Sequence, residues 1–313
     1  MLGFGKKQAF AIGIDMSRDG LRLAQLANSG KDLSLIAGGS QCCPEEIEVG
    51  SASWQHWVVE KVHQLVGHGG FRGKAISTAI PSSDIYVDQI KLPKPSDGQM
   101  IEDAIFNRIK NKMPFKGSRE STMIRYMPSD QDNAVVMAAD RDVINGHLAI
   151  FEKAGLQIKT MGVWPEALVN CYIRFFGRRK ADVHEIVMLI NVEHTCTKVV
   201  ICRHQTLLFA RSLPLGAVGL VDEQAINRLV LEVTACRRDF MSLYKNSPIA
   251  RLIFMSGPSV DTSIYATVAK QLEIQAQIGD CLVAVEMPKP LGEVLDRRDQ
   301  HISWATAFGL SLS

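Results

Sequence analysis

The sequence feature that most restricts the fold is a strand-turn-strand pattern that begins each half of the chain. In the first half, an apolar run ends at Asp15, and a polar turn at Asp19-Gly20 separates it from a second apolar run. In the second half, an apolar run over 186–192 carries Asn191 near its end, where the first run has Asp15. Short apolar runs separated by turn residues are typical of β-hairpins. We therefore predict two similar lobes, each beginning with a hairpin.

The spacing of apolar residues predicts further strands and helices, and hence a mixed α/β protein. The predicted strands cover 33–37, 75–80, 85–92, 122–126, 133–139, 198–202, 206–211 and 252–255. The predicted helices cover 53–66, the segment from the cap Ser96 to Pro114, 140–154, 221–244 and 305–310. We also expect Val143 to be available for burial on the helix over 140–154.

The length of the chain supports a division into domains. A chain of 313 residues, of which 46% are hydrophobic, exceeds the size of roughly 250–300 residues at which single cores stop growing. The predicted division is a first lobe core over 1–80, an inserted α+β subdomain over 81–155, a return to the first lobe with a linker over 156–182, a second lobe over 183–304 and a C-terminal helix over 305–313.

Composition and charge restrict the partners and the compartment. The 35 Lys and Arg residues nearly balance the 33 Asp and Glu residues, so there is no broad cationic field for nucleic acid. The seven cysteines show no CxxC spacing, which is typical of reduced thiols in a cytoplasm. No segment approaches about 18 consecutive apolar residues. We expect a cytoplasmic protein that reaches a membrane only through partners.

Two sets of residues resemble known proteins, one a broad superfamily and the other a family within it. Gly13-Ile14-Asp15 followed by Leu21-Arg22-Leu23 is similar to the first phosphate-binding hairpin of actin-like proteins. A longer resemblance is to the PilM-type assembly proteins of bacterial type IV pili, which are related to FtsA. It rests on residues 85–93, 113–115, 133–139, 155–156, 191–197, Ser256-Gly257 and 305–310. The resemblance implies a two-lobed actin-like, ribonuclease H-like fold with an inserted subdomain.

The same resemblance implies a cleft for ATP and magnesium between the lobes. Asp15 would hold magnesium through water, and Asp15 and Glu193 are the weak candidates for catalysis. The candidate nucleotide contacts are Asp15, Ser17, Arg18, Asn191, Thr195, Thr197, Glu232 and Gly257.

The cleft residues depart from the family pattern. Asn191-Val192-Glu193 stands where relatives have Asp-x-Gly, and an amide side chain cannot act as an anionic ligand or proton acceptor. Pro258 interrupts the run of glycines at the adenosine site and lacks an amide donor. These departures predict a degenerate nucleotide site without efficient ATP hydrolysis.

The resemblance further implies a scaffold that binds the cytoplasmic tail of a PilN-like inner-membrane protein and other components of the pilus machine. A homo-oligomer is compatible with this function. The alternatives are an active ATPase of the same machine, a type II secretion component and an FtsA-like filament protein. An active ATPase would require Glu193 to orient the attacking water.

Overall fold

The computed structural model describes residues 8–29, 32–94, 100–257, 260–287 and 303–313. The predicted cap Ser96 lies outside the described residues, as does Pro258, the predicted departure from the family pattern at the adenosine site. The strands are β1 (Ile12–Ser17), β2 (Gly20–Ser29), β3 (Asp32–Cys42), β4 (Ala75–Ile80), β5 (Tyr86–Lys91), β6 (Thr122–Pro128), β7 (Asn133–Asp140), β8 (Gln157–Val163), β9 (Ile186–Val192), β10 (Thr197–Arg203), β11 (Thr206–Leu213), β12 (Ile249–Phe254) and β13 (Ala276–Ile278). The helices are α1 (Ala52–His68), α2 (Ile101–Ile109), α3 (Arg141–Lys153), α4 (Trp164–Phe175), α5 (Glu223–Leu243), α6 (Thr262–Leu272) and α7 (Ala305–Ser311). None of the described helices is both long and apolar enough to span a membrane.

The two lobes are built on sheets of the same topology. The sheet of the first lobe has the strand order β3-β2-β1-β4-β8, and that of the second lobe has the order β11-β10-β9-β12-β13. In both sheets the first three strands are antiparallel neighbours, and the remaining pairs are parallel. This repetition confirms the prediction of two similar lobes.

Helices α1 and α3 cover the sheet of the first lobe. The side chain of Ser51 caps α1 by accepting a hydrogen bond from the backbone N–H of Trp54, which satisfies one of the free N–H groups at the helix start. Trp54 and Trp57 of α1 then pack with Phe151 of α3 in one apolar cluster.

The inserted subdomain contains an antiparallel sheet in the order β5-β7-β6, against which α2 packs through Ile105 and Ile109. This sheet also contacts the second lobe. Gln89 Nε2 donates a hydrogen bond of 2.7 Å to the carbonyl oxygen of Ala210 on β11. The subdomain therefore stabilises the arrangement of the lobes as well as extending the first one.

One apolar core runs through both lobes and the inserted subdomain. Its buried members include Leu26 and Leu35 of the first lobe, Val135 and Met137 of the inserted subdomain, and Leu189 and Val200 of the second lobe. A continuous core resists hinge motion, because opening the lobes would expose these side chains to water.

Helix α7 is fully buried and lies against α4 and β1. A Cβ atom at Gly13 would lie 2.0 Å from the carbonyl oxygen of Ala307, so β1 and α7 approach closely only because Gly13 has no side chain. The closing segment of the chain is therefore part of the first lobe's packing.

One sequence expectation is wrong, and two elements of the structure were not predicted. Val143 is 38% exposed, because it lies on the solvent side of α3, whereas Ile150 and Phe151 are buried. The strand β8 and the helix α4 were not predicted within the segment described as a return and linker. Seven of the twelve residues of α4 are buried, so its polar residues Glu166, Asn170 and Arg174 form only a narrow stripe on a largely apolar helix.

Candidate functional site

The hairpins of the two lobes meet at the junction between them. Asp15 lies on β1, Glu193 directly follows β9, and both side chains are buried. Two contacts connect the lobes here. Thr195 Oγ1 donates a hydrogen bond of 3.4 Å to Asp19 Oδ1, and Lys198 Nζ lies 3.9 Å from Asp15 Oδ1. The structure thus brings the two candidate catalytic carboxylates to the same junction.

Lys198 is the cation between these carboxylates. It lies on β10 with a side chain only 2% exposed, and its Nζ donates a hydrogen bond of 2.7 Å to Glu193 Oε1. Alternation along the strand places Lys198 on the same face as Val200 and Cys202, which belong to the core between the lobes. Its ammonium also lies 5.9 Å from the ring centroid of Trp164, within the range of a cation–π interaction.

Arg22 provides a second buried cation from β2. Its Nη1 lies 3.8 Å from Asp15 Oδ2 and donates a hydrogen bond of 3.1 Å to Ser17 Oγ. Its Nη2 lies 3.5 Å from Asp19 Oδ2. We call the five ionisable residues at the junction, Asp15, Asp19, Arg22, Glu193 and Lys198, the charge cluster.

The charge cluster perturbs the protonation of its members. Burial lowers the pKa of the Lys198 amine, but Asp15 and Glu193 raise it more, so that the net shift is upward. Burial likewise lowers the pKa of the Arg22 guanidinium, and the neighbouring carboxylates outweigh it. Burial raises the pKa of the Glu193 carboxyl, with Lys198 acting in the opposite direction. At neutral pH both cations therefore keep their charge.

Both polar atoms of the Asn191 side chain have hydrogen-bond partners within the protein. Its Nδ2 donates to Glu193 Oε1 over 2.9 Å, and its Oδ1 accepts a hydrogen bond of 2.5 Å from Ser303 Oγ. Ser256 Oγ donates to the same Oδ1 over 3.5 Å. Asn191 thus positions the Glu193 carboxylate and connects the second hairpin to the segment that precedes α7.

Of the predicted nucleotide contacts, Ser17, Arg18 and Thr195 line one cavity, whereas Thr197, Glu232 and Gly257 do not line it. Arg18 and Thr195 are exposed and line a cavity of about 290 Å³ at the mouth of the junction. Thr197 is buried, and its hydroxyl donates to the carbonyl oxygen of Leu215 over 2.6 Å. Gly257 has a φ of +62°, in the region that favours glycine. No hydrogen bond or ion pair between described residues joins Glu232 to the charge cluster.

Sequence reasoning missed Lys198 and gave Arg22 no role. A detectable signal was present, because Lys198 directly precedes the apolar run from Val199 to Cys202 and its period-two neighbours Cys196 and Val200 are apolar. A lysine whose neighbours on the same face of a strand are apolar is expected to be buried, and a buried cation requires carboxylates nearby.

A second candidate site is a groove of about 660 Å³ between the inserted subdomain and the first lobe, with Gln205 and Leu207 of the second lobe also in its lining. Met127 on β6 and Gly162 on β8 lie on its two sides, and Leu312 follows α7 at its wall. Among the described strands, β6 and β8 are edge strands of their sheets. The groove therefore lies between two sheet edges. We call it the edge groove.

An ion pair spans the edge groove. Arg125 Nη2 on β6 lies 2.6 Å from Glu166 Oε1 on α4. Burial raises the pKa of the Glu166 carboxyl, although Arg125 opposes this shift. The pair joins the inserted subdomain to the first lobe and presents two opposite charges to anything that enters the groove.

The repeated sheet topology and the facing hairpins define an actin-like fold. The sequence profile described as type IV pilus assembly protein PilM matches residues 13–228, which is more than half of the chain. The chain belongs to this family, as its sequence predicted. No curated protein matches its sequence.

Solved structures show the same architecture. The PilM–PilN type IV pilus biogenesis complex contains a chain that is 17% identical with a TM-score of 0.72, and the match covers 96% of this chain and 97% of that one. The cytoplasmic domain of EpsL, from the type II secretion system of Vibrio cholerae, is 12% identical with a TM-score of 0.50 over 97% and 94% of the two chains. A Bacteroides thetaiotaomicron protein with an actin-like ATPase fold is 11% identical with a TM-score of 0.51 over 91% and 96%. At these identities the likeness shows the fold alone.

Proposed function

We propose that this chain is a scaffold of a type IV pilus assembly machine and binds the cytoplasmic tail of a PilN-like inner-membrane protein in the edge groove. The observation that carries the proposal is the position of the groove between two edge strands, β6 and β8. The solved complex of a structurally similar PilM chain with PilN supports the choice of partner.

An extended peptide is the ligand that suits such a groove. A peptide strand adds to a sheet edge through main-chain hydrogen bonds, while alternate side chains enter pockets. Phe10, Ile173 and Leu207 provide apolar contacts in the groove. The Arg125–Glu166 pair provides a donor group and an acceptor group that can fix the register of a peptide.

Binding through such a tail would place the chain at the inner membrane through its partner. In the proposed division into domains, the inserted subdomain over 81–155 contributes β6 and the segment over 156–182 contributes β8 and α4. In this proposal the edge groove forms where these two parts of the chain meet.

We further propose that the scaffold does not depend on nucleotide turnover. The carboxylates that would surround magnesium already contact Lys198 and Arg22, and the polar groups of Asn191 already have partners within the protein. The carboxylates of Asp19 and Glu193 would also repel the phosphates of ATP. These residues do not fit a magnesium nucleotide. Phosphate release above background that disappears in both Asp15→Ala and Glu193→Ala would instead support the alternative of an active ATPase.

The peptide proposal can be tested by blocking the groove at Gly162. A Cβ atom added to Gly162 meets no atom closer than 3.9 Å, so the backbone accepts a side chain there and the side chain enters the groove. In calorimetric titrations with a synthetic PilN-like tail, we expect saturable binding to the wild type and to Gly162→Ala. Gly162→Leu should lose at least tenfold in affinity, and Gly219→Leu, at an exposed glycine with open space, is the matched control. A wild type without a saturable signal would contradict the proposal.

A further inference from the structure

Each lobe contributes a buried carboxylate to the same point of the junction. Asp15 comes from the first hairpin and Glu193 from the second, and their side chains are 5% and 1% exposed. Carboxylates so far from water require a compensating cation, since burial of an unpaired charge costs far more than a hydrogen bond returns.

Lys198 is the group that contacts both carboxylates. Its Nζ is 2.7 Å from Glu193 Oε1 and 3.9 Å from Asp15 Oδ1, and its side chain is 2% exposed. A metal ion at the position of this ammonium would have both carboxylates within direct reach or one bridging water away.

We propose that the Lys198 ammonium is a resident counter-ion that takes the place of a divalent metal ion and holds the two lobes closed in the absence of nucleotide. This inference rests on the nucleotide-independent scaffold proposed above.

The surrounding groups fit a resident ammonium. Besides Lys198, Glu193 Oε1 accepts hydrogen bonds from Asn191 Nδ2 over 2.9 Å and from Thr306 Oγ1 over 3.4 Å. Cys196 Sγ donates to the other oxygen, Oε2, over 3.5 Å. Each oxygen of the Glu193 carboxylate therefore has a partner in the protein. A magnesium ion would have to displace part of this set to reach its ligand distances of about 2.0–2.1 Å.

The balance of charge favours the same interpretation. In the charge cluster, three carboxylates face two cations, so one negative charge is in excess. Replacing Lys198 by alanine leaves two negative charges in excess and removes the side chain that lies between Asp15 and Glu193. This is the condition under which a divalent cation binds.

We therefore expect that removal of the Lys198 ammonium creates a magnesium site. Titrated with magnesium chloride alone, the wild-type protein should show no saturable binding in calorimetry, whereas Lys198→Ala should bind one magnesium ion. The double variant Lys198→Ala/Glu193→Gln should lose that binding. At a magnesium concentration 100 times the Kd, the melting temperature of Lys198→Ala should rise by roughly 4 °C. Lys116→Ala, at an exposed lysine, should behave like the wild type.

The results separate this inference from the peptide proposal. A folded Lys198→Ala protein without magnesium binding would overturn the resident counter-ion. Saturable binding of magnesium ATP to the wild type would overturn it as well, and this measurement decides the matter if the variant does not fold. Failure of the PilN-like tail to bind would contradict only the proposed peptide site in the edge groove, since the magnesium and magnesium ATP titrations do not involve the peptide.

Discussion

Replacing Gly309 by Ala tests the packing that forms one wall of the edge groove. Gly309 lies on α7, and a Cβ atom there would be 1.8 Å from the carbonyl oxygen of Ala167 on α4. The obstacle is backbone rather than a flexible side chain, so α7 must move away from α4. Leu310 and Leu312, which line the edge groove, would move with it.

The expected cost follows from the geometry. Overpacking a well-packed core costs about 1–3 kcal/mol, and a clash with backbone belongs at the upper end, about 3 kcal/mol. The entropy of unfolding is roughly 2.1 cal/mol/K per residue, or about 0.7 kcal/mol/K for 313 residues. We therefore expect the melting temperature of Gly309→Ala to fall by about 4–5 °C.

Substitution of a second helical glycine should change the stability in the opposite direction. Gly146 lies inside α3, and a Cβ atom there meets nothing within 4 Å. Gly146→Ala should therefore stabilise the protein by about 0.5–1 kcal/mol, because alanine loses less backbone entropy in a helix. Calorimetric melting of both variants is the assay. If Gly309→Ala melts at or above the temperature of the wild type, the close contact between α4 and α7 is wrong.

Two further predictions concern buried charges. Lys198→Met keeps the volume of the side chain but leaves Glu193 without its cation, so urea unfolding should show a loss of about 3–5 kcal/mol; a loss below about 1 kcal/mol would place Lys198 at the surface. Burial raises the pKa of the Asp84 carboxyl, but hydrogen bonds from His147 and Ser83 outweigh burial and lower that pKa below its ordinary value of 3.8. The hydrogen-bonded Asp84 carboxylate therefore stabilises the protein above pH 3.8, and this stabilisation is lost as the pH falls through the lowered pKa. The difference in unfolding free energy between the wild type and Asp84→Asn should therefore shrink as the pH falls below 3.8; a difference that does not shrink below this pH would contradict the lowered pKa.

The hairpins and the inserted subdomain could be predicted from the sequence because each is specified locally. Strands such as β9, over Ile186–Val192, are bounded by turns and have a clear apolar pattern. The strand β8 was not predicted, because Lys159 and Thr160 weaken its apolar pattern and pairing with β4 is what holds it in place.

The candidate sites were predictable only in part. The matching positions of Asp15 and Asn191 followed from the repeated hairpin, since both occupy the same place in their lobes. The role of Lys198 depends on the approach of the two lobes, and long cationic side chains in strands are usually at the surface. The edge groove joins residues from Phe10 to Ser313, so only the folded chain brings its walls together.

We propose above that this chain is a peptide-binding scaffold whose function does not require nucleotide. Titration of the wild type with a PilN-like tail peptide, with and without magnesium ATP, tests both parts together. We predict saturable binding with a Kd that changes by less than about twofold on addition of magnesium ATP, because a ligand that does not bind has no coupling free energy. Peptide binding that requires magnesium ATP, or that changes by tenfold or more in its presence, would contradict the account.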